Sequence, residues 1–211
     1  MSNVSSPLFQ ATGLECWRGD RRLFSGIDFS IHSGEALQVV GPNGSGKTTL
    51  LRAVCGLTRA EQGKLFWRGA RLEGNPDAYR SELLYIGHEN GLKFELTALE
   101  NLRALRDIAA RQRNLPLEAA LDRAGLAGFE DRPVRTLSSG QRRRVALSRL
   151  LIAEAALWLL DEPFTALDDA GARLVNVLVE EHLNAGGGIM FTSHIPLSLT
   201  QRSLRRITLD S

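Results

Sequence analysis

Residues 41–57 read GPNGSGKTTLLRAVCGL, and the first eight fit the pattern G-x-x-x-x-G-K-[ST]. Context decides what such a pattern means. Ahead of it, 36–40 (ALQVV) is a short apolar run that begins just after Ser33-Gly34, which predicts a buried strand. After it comes a helical pattern that Gly56 can close. Strand, glycine loop and helix in that order make a phosphate cradle, because glycines let backbone N–H groups turn inward around phosphate oxygens. The expected nucleotide contacts are Gly41, Pro42, Asn43, Gly44, Ser45, Gly46, Lys47, Thr48 and Thr49. Lys47 would reach the β- and γ-phosphates, and the Thr48 hydroxyl would hold Mg²⁺. A plain glycine-rich turn before a helix is the bland alternative, and the flanking strand and helix argue against it.

The stretch AALWLLDEP (155–163) supplies a counterpart. An apolar strand ends in Asp161 and Glu162. Asp161 is placed to hold Mg²⁺ directly or through water, and Glu162 to orient or deprotonate the attacking water. Alone, two acids at a strand end read equally well as a cap or a solvated turn. Beside the glycine loop they specify a nucleoside triphosphatase.

Composition narrows the partners. The 211 residues are 43% hydrophobic and 24% charged, enough for a real core in a single globular unit. A formal net charge of +2 gives no bulk-charge case for nucleic acid or a membrane surface. Cys16 and Cys55 have no metal spacing, so a reducing compartment is the simple reading. The start, MSNVSSPLFQ, lacks the basic and apolar regions of a signal peptide. The most apolar stretch, 145–160, carries Arg149 and Glu154 and is not expected to span a membrane.

Along the chain, 8–40 reads as strands and turns, and GKLFWRG (63–69) and ELLYIG (82–87) as strands. TALE (97–100) is a capping box with Thr97 as N-cap, followed by helical spacing through 112. A second helix near 117–125 and a third from 139 make 97–154 mostly helical. ALWLL is then a buried strand, 168–185 an amphipathic helix, GIMFTSH (188–194) a strand and RRITLD (205–210) a last edge strand. The order predicts an α/β core with a mostly parallel sheet and an inserted helical lobe. Arg142, Arg143 and Arg144 lie about 100° apart on a helix and are read as mostly solvated or rim charge.

LSSGQ (137–141) puts Ser138, Ser139, Gly140 and Gln141 at a second helix start suited to an anion. By itself it is an ordinary N-cap. With DEP and ALD soon after, however, the chain resembles the ATP-binding cassette (ABC) family, and the likeness covers nearly all of it. The resemblance implies a P-loop ATPase core with an N-terminal antiparallel β-subdomain and a helical subdomain at about 90–154, in one domain over 1–211. It implies ATP and Mg²⁺ as ligands, and a second copy paired head to tail, so that Ser139 and Gly140 of one chain cap the γ-phosphate held by the other. Thr165-Ala166-Leu167-Asp168 matches the family's D-loop, and His194 its switch histidine. The family's usual Gln falls in YIGHENG (85–91), where His88 or Glu89 stands instead. Its adenine-stacking aromatic has Trp17 as the nearest candidate, while Arg18 holds the strict position.

YIGHENGLKFELTALENL, AGLAGFEDRPV, LSSGQRRRVALSRL and LWLLDEPFTALD together resemble the ATPase subunits of cytochrome c biogenesis (haem exporter type) transporters. That likeness implies membrane-spanning partner subunits, a peripheral position on the cytoplasmic face of a bacterial inner membrane, and no nucleic acid partner. The short C-terminus fits a subunit with no regulatory domain. The alternatives are the ATPase of another exporter, or a soluble relative acting on ribosomes or DNA.

Overall fold

The computed structural model describes residues 6–74, 76–199 and 204–209. The expectations for 1–5 (the start of the chain) and for Asp210 at the end of the last strand lie outside them. In chain order, β1 (Phe9–Arg18) and β2 (Arg21–Ile31) form a hairpin, followed by β3 (Ala36–Val40), α1 (Lys47–Val54), β4 (Gln62–Trp67) and β5 (Ala70–Arg71). A short α2 (Pro76–Arg80) leads to β6 (Leu83–Ile86). Four helices come next: α3 (Ala98–Asp107), α4 (Leu117–Arg123), α5 (Ser139–Leu147) and α6 (Arg149–Ile152). The chain then alternates through β7 (Leu157–Asp161), α7 (Asp169–Asn184), β8 (Gly188–Thr192) and β9 (Leu204–Thr208).

Two sheets result. One is antiparallel, in the order β2-β1-β4-β5; the other, β6-β7-β8-β3-β9, is parallel throughout. Every residue of β7 and β8 is buried, as a parallel sheet covered on both faces requires. Alternation along β7 divides its side chains between two cores. Leu157 and Leu159 pack with α1 and the antiparallel sheet. Trp158 and Leu160 pack with Leu102, Leu121, Val145 and Val175 of the helices. The helical lobe is thus anchored on one face of the sheet and the antiparallel layer on the other.

Local chemistry explains the ends. Gly56 closes α1 with paired bonds, Leu57 N–H to Arg52 C=O at 2.8 Å and Gly56 N–H to Ala53 C=O at 3.1 Å. Thr97 and Glu100 form the reciprocal capping box of α3. Of the boundaries that differ from the sequence expectation, three have a plain cause. α3 stops at Asp107, because 111–113 leaves to bond the end of α6 and the residues just after it: Arg113 N–H to Ile152 C=O at 2.8 Å and Glu154 N–H to Arg111 C=O at 3.0 Å. The helix from 139 breaks at buried Ser148, whose hydroxyl donates to Arg144 C=O at 2.9 Å. The strand expected over 63–69 ends at Trp67, where Arg68 and Gly69 (φ 48° and 80°) turn into β5.

Candidate functional site

All five strands of the parallel sheet run the same way, so the loops that follow their C-terminal ends gather at one edge. There β3 delivers the glycine loop, β7 delivers Asp161 and Glu162, and β8 delivers Thr192 and then His194. Asp161 and Thr192 are register partners. Lys47, Thr48, Asp161, Glu162, Thr192 and His194 line one cleft of about 440 Å³.

The glycine loop is shaped by contacts that only glycine allows at its start. A Cβ on Gly41 (φ 152°) would lie 2.6 Å from Leu209 C=O and 2.7 Å from the Ser45 hydroxyl. Gly46 is the N-cap of α1 and brings no side-chain cap, so the first-turn amides have no side-chain acceptor. The Ser45 hydroxyl is buried without a protein partner. Lys47 Nζ donates to Gly41 C=O at 2.8 Å and Pro42 C=O at 3.0 Å. Uncapped amides, an orphan hydroxyl and a cation on one loop match the chemistry of a bound phosphate chain.

Beside it, Asp161 is 1% exposed and receives a hydroxyl on each oxygen. Thr48 Oγ1 donates to Oδ2 at 2.8 Å, and Thr192 Oγ1 to Oδ1 at 2.6 Å. A carboxylate and a hydroxyl are hard oxygen donors of the kind Mg²⁺ takes, so the residues present fit that ion. Glu162 has φ 48°, a left-handed conformation that costs an L-residue about 1–2 kcal/mol. Its amide donates to Thr192 C=O at 3.1 Å and Thr192 Oγ1 at 3.0 Å. His194 N–H donates to Glu162 Oε2 at 3.3 Å, and His194 Nε2 lies 3.6 Å from Oε1. Burial, with the charge of Asp161 adding, pushes the nearby Tyr85 phenol up to about 12.

At the two positions the sequence leaves open, the candidates differ in which of them line the cleft. Arg18 and Leu23 line the cleft. Trp17 is not among its lining residues, and its indole N–H donates to Glu15 Oε1 at 2.7 Å. His88 lines the cleft; both His88 and Glu89 line an adjoining cavity, which Thr48 and Asp161 also line.

The four residues of the second helix start have different jobs. Ser138 is the N-cap of α5, and Ser138 and Gln141 exchange reciprocal bonds at 3.2 and 2.9 Å, so both are engaged within the chain. Ser139 is exposed, and with Ala166 and Phe94 it lines a cavity of about 210 Å³ that adjoins the cleft and shares His88 and Thr165 with it. Gly140 is packed against the turn before α7: a Cβ there would lie 2.8 Å from Ala166 C=O. Asp168 caps α7 by accepting from Gly171 N–H at 2.9 Å and pairs with Arg144, which together hold its carboxyl below the usual range.

The arginine run corrects the sequence expectation. Arg142 lies over the Phe94 ring at 5.4 Å, and the Arg144 guanidinium is mostly covered in its pair with Asp168. Arg143 is 3% exposed, not solvated, and its guanidinium is ringed by backbone carbonyls of the Asp161–Pro163 turn and by the loop after β6. Sequence reading also passed over Thr192, whose signal was its place at the end of the strand that pairs with the Asp161 strand.

Comparison with known proteins agrees with this geometry. The family model described as "ABC transporter" matches residues 24–165. The cytochrome c biogenesis ATP-binding export protein CcmA of Hahella chejuensis is 47% identical over 209 residues, covering 98% of this chain and 97% of that protein. CcmA of Escherichia coli K12 is 48% identical over 203 residues, 96% of each chain. A solved ATP-binding subunit of an ABC transporter superposes with a TM-score of 0.77 at 27% identity, covering 89% of this chain and 80% of that one. An ATP-binding cassette of an ABC transporter in its ADP conformation gives 0.72 at 22% identity, covering 90% and 82%, a likeness of fold.

Proposed function

The chain belongs to the ABC transporter family, and from that premise we propose that it is the ATP-hydrolysing subunit of a cytochrome c biogenesis export complex, working as a head-to-tail pair of copies. The near full-length identity to two CcmA proteins supports the assignment to that process. The 211 residues then act as one ATPase domain, with the helices between about 90 and 154 as its helical subdomain. No described helix is long and apolar enough to cross a membrane. In this reading the subunit works against separate membrane-spanning partners, from the cytoplasmic face of a bacterial inner membrane.

The observation that carries the catalytic reading is the meeting of Thr48 and Asp161 at 2.8 Å, 113 positions apart in sequence, beside Glu162. The glycine-loop amides and Lys47 bind the triphosphate and offset its charge. Thr48 and Asp161 would hold Mg²⁺, which when bound offsets charge on the β- and γ-phosphates. Arg18 and Leu23 face the nucleoside end, and His88 the phosphate end beside Thr48. Glu162 takes the proton of the attacking water, with His194 orienting its carboxylate. Ser139 and Gly140 of the second copy present amides at the start of α5 to the γ-phosphate, which explains why this chain has two anion-suited helix starts. Asp168 stands next to that junction. Binding of ATP closes the pair and hydrolysis opens it, the two-state element that drives the membrane partner.

The test is Glu162→Gln in the full chain. It should bind ATP normally and slow hydrolysis by roughly 10²–10⁴, the range for loss of a positioned base. Turnover at the unmodified rate would overturn the assignment.

A further inference from the structure

We propose that Arg143 is a positioning residue for hydrolysis: its guanidinium bolts the turn that carries Glu162 to the loop that carries His88. The proposal rests on the reading of Glu162 given above.

A guanidinium has five N–H donors in a fixed fork, and here each has an acceptor. Nε donates to Pro163 C=O at 3.4 Å. Nη1 donates to Gly87 C=O at 3.0 Å and Asn90 Oδ1 at 3.1 Å. Nη2 donates to Asp161 C=O at 3.0 Å and Glu162 C=O at 2.8 Å. At 3% exposure this is a buried cation, and such groups are normally paired with a carboxylate. Among the described residues Arg143 bonds no carboxylate directly. Burial lowers its pKa, while the charges of Asp161 and Glu162 oppose that from a distance. The five acceptors divide into two sets, three carbonyls of the 161–163 turn and two groups that flank His88 and Glu89.

The turn needs such a clamp. Glu162 sits at φ 48°, where L-residues persist only if their surroundings over-determine them. Thr192 holds the amide on one side of Glu162; Arg143 holds the carbonyls on the other. Arg143 is also four residues along α5 from Ser139. One side chain therefore joins the serine-led helix, the 87–90 loop and the Glu162 turn. A shift of that loop or of α5 pulls on the carbonyls that fix where the Glu162 carboxylate points. Lysine cannot replace it, because a single ammonium has three donors and no fork.

The experiment compares Arg143→Lys, Arg143→Met and Asn90→Ala, in the native full chain and in Glu162→Gln. It reads kcat and KM for ATP with Mg²⁺, normalised to titrated nucleotide sites, together with Tm. Both Arg143 variants should lower kcat by about tenfold or more with KM within about twofold, the pattern of a group that acts only in the transition state. Asn90→Ala, which leaves the fold's core intact, should lower kcat about two- to fivefold. In the Glu162→Gln background each should cost less than about twofold more, because residues that act as a unit are not additive. An Arg143→Lys chain with native kcat, equal factors in both backgrounds, or an unaffected Asn90→Ala chain would overturn the proposal. Should Arg143→Met not fold, the other two variants decide. Full turnover by Glu162→Gln itself would instead defeat the reading on which the proposal rests.

Discussion

His194 and Glu162 face one another at the mouth of the cleft, with Nε2 3.6 Å from Oε1 and the His194 amide donating to Oε2 at 3.3 Å. The two residues follow neighbouring parallel strands, so the sheet itself sets their separation. Glu162 is held by its backbone and His194 by its loop, which leaves the imidazole exposed and free to respond to what the cleft holds. Replacing His194 by Ala should therefore lower kcat by about 10²-fold, within the range for a group assisting proton transfer. Tm should not change, since the side chain is 67% exposed. A steady-state assay with a parallel melting curve checks both.

Lys47→Ala removes the one cation on the glycine loop, together with its bonds to Gly41 and Pro42. ATP affinity should fall and turnover should vanish, while circular dichroism stays native because the loop keeps its glycines. Isothermal titration with ATP, run beside the hydrolysis assay, measures both effects.

Ser138 and Ser139 should separate cleanly despite being neighbours. Ser138→Ala deletes an N-cap and should cost about 1 kcal/mol, a drop in Tm of roughly 2–4 °C for a chain of this size. Ser139→Ala should leave Tm alone and weaken ATP-dependent pairing of the chains. Calorimetry and light scattering with and without ATP distinguish them.

His182 makes stability depend on acid. It stacks on Trp158 with ring centres 3.8 Å apart and bonds Gly188 C=O, and burial, with Arg113 opposing protonation nearby, lowers its pKa to about 4. The unfolded chain takes up the proton at about 6.5, so between those values it binds more protons than the native state. Stability is then lost as pH falls from about 6.5 towards about 4, by about 3 kcal/mol for a shift of this size. Urea unfolding at pH 7.5 and 4.5 should show a smaller difference in His182→Phe, which keeps a ring on Trp158 and removes the titration.

Much of the fold was legible because local chemistry and global placement agree. The glycine loop must follow a buried strand and open a helix, so 36–57 announces its own context. The same holds for Asp161-Glu162 after an apolar strand, for the capping box at Thr97 and for the helix start at LSSGQ. The misjudged residues depend on tertiary neighbours. Three consecutive arginines cannot share a face, which on sequence alone makes Arg143 a solvated charge. That rule says they point apart, and it does not say that one of the directions leads to five acceptors. The available signal was its i, i+4, i+7 spacing with buried Leu147 and Leu150. Between Trp17 and Arg18, which the sequence leaves open, only Arg18 lines the cleft. The early end of α3 depends on a partner segment forty residues on.

The account stands on a nucleotide shared between two copies, and mixing two disabled chains tests that most directly. In a Glu162→Gln background, which retains ATP, Ser139→Arg spoils the cap and Lys47→Ala spoils the cradle. Each alone should trap no ATP, because both sites of either homodimer are damaged. A mixed pair has one site made from the intact cradle of the first and the intact cap of the second, and should trap one ATP per pair. If mixing restores nothing, or if Ser139→Arg traps ATP unaided, the two halves of the site do not come from different copies.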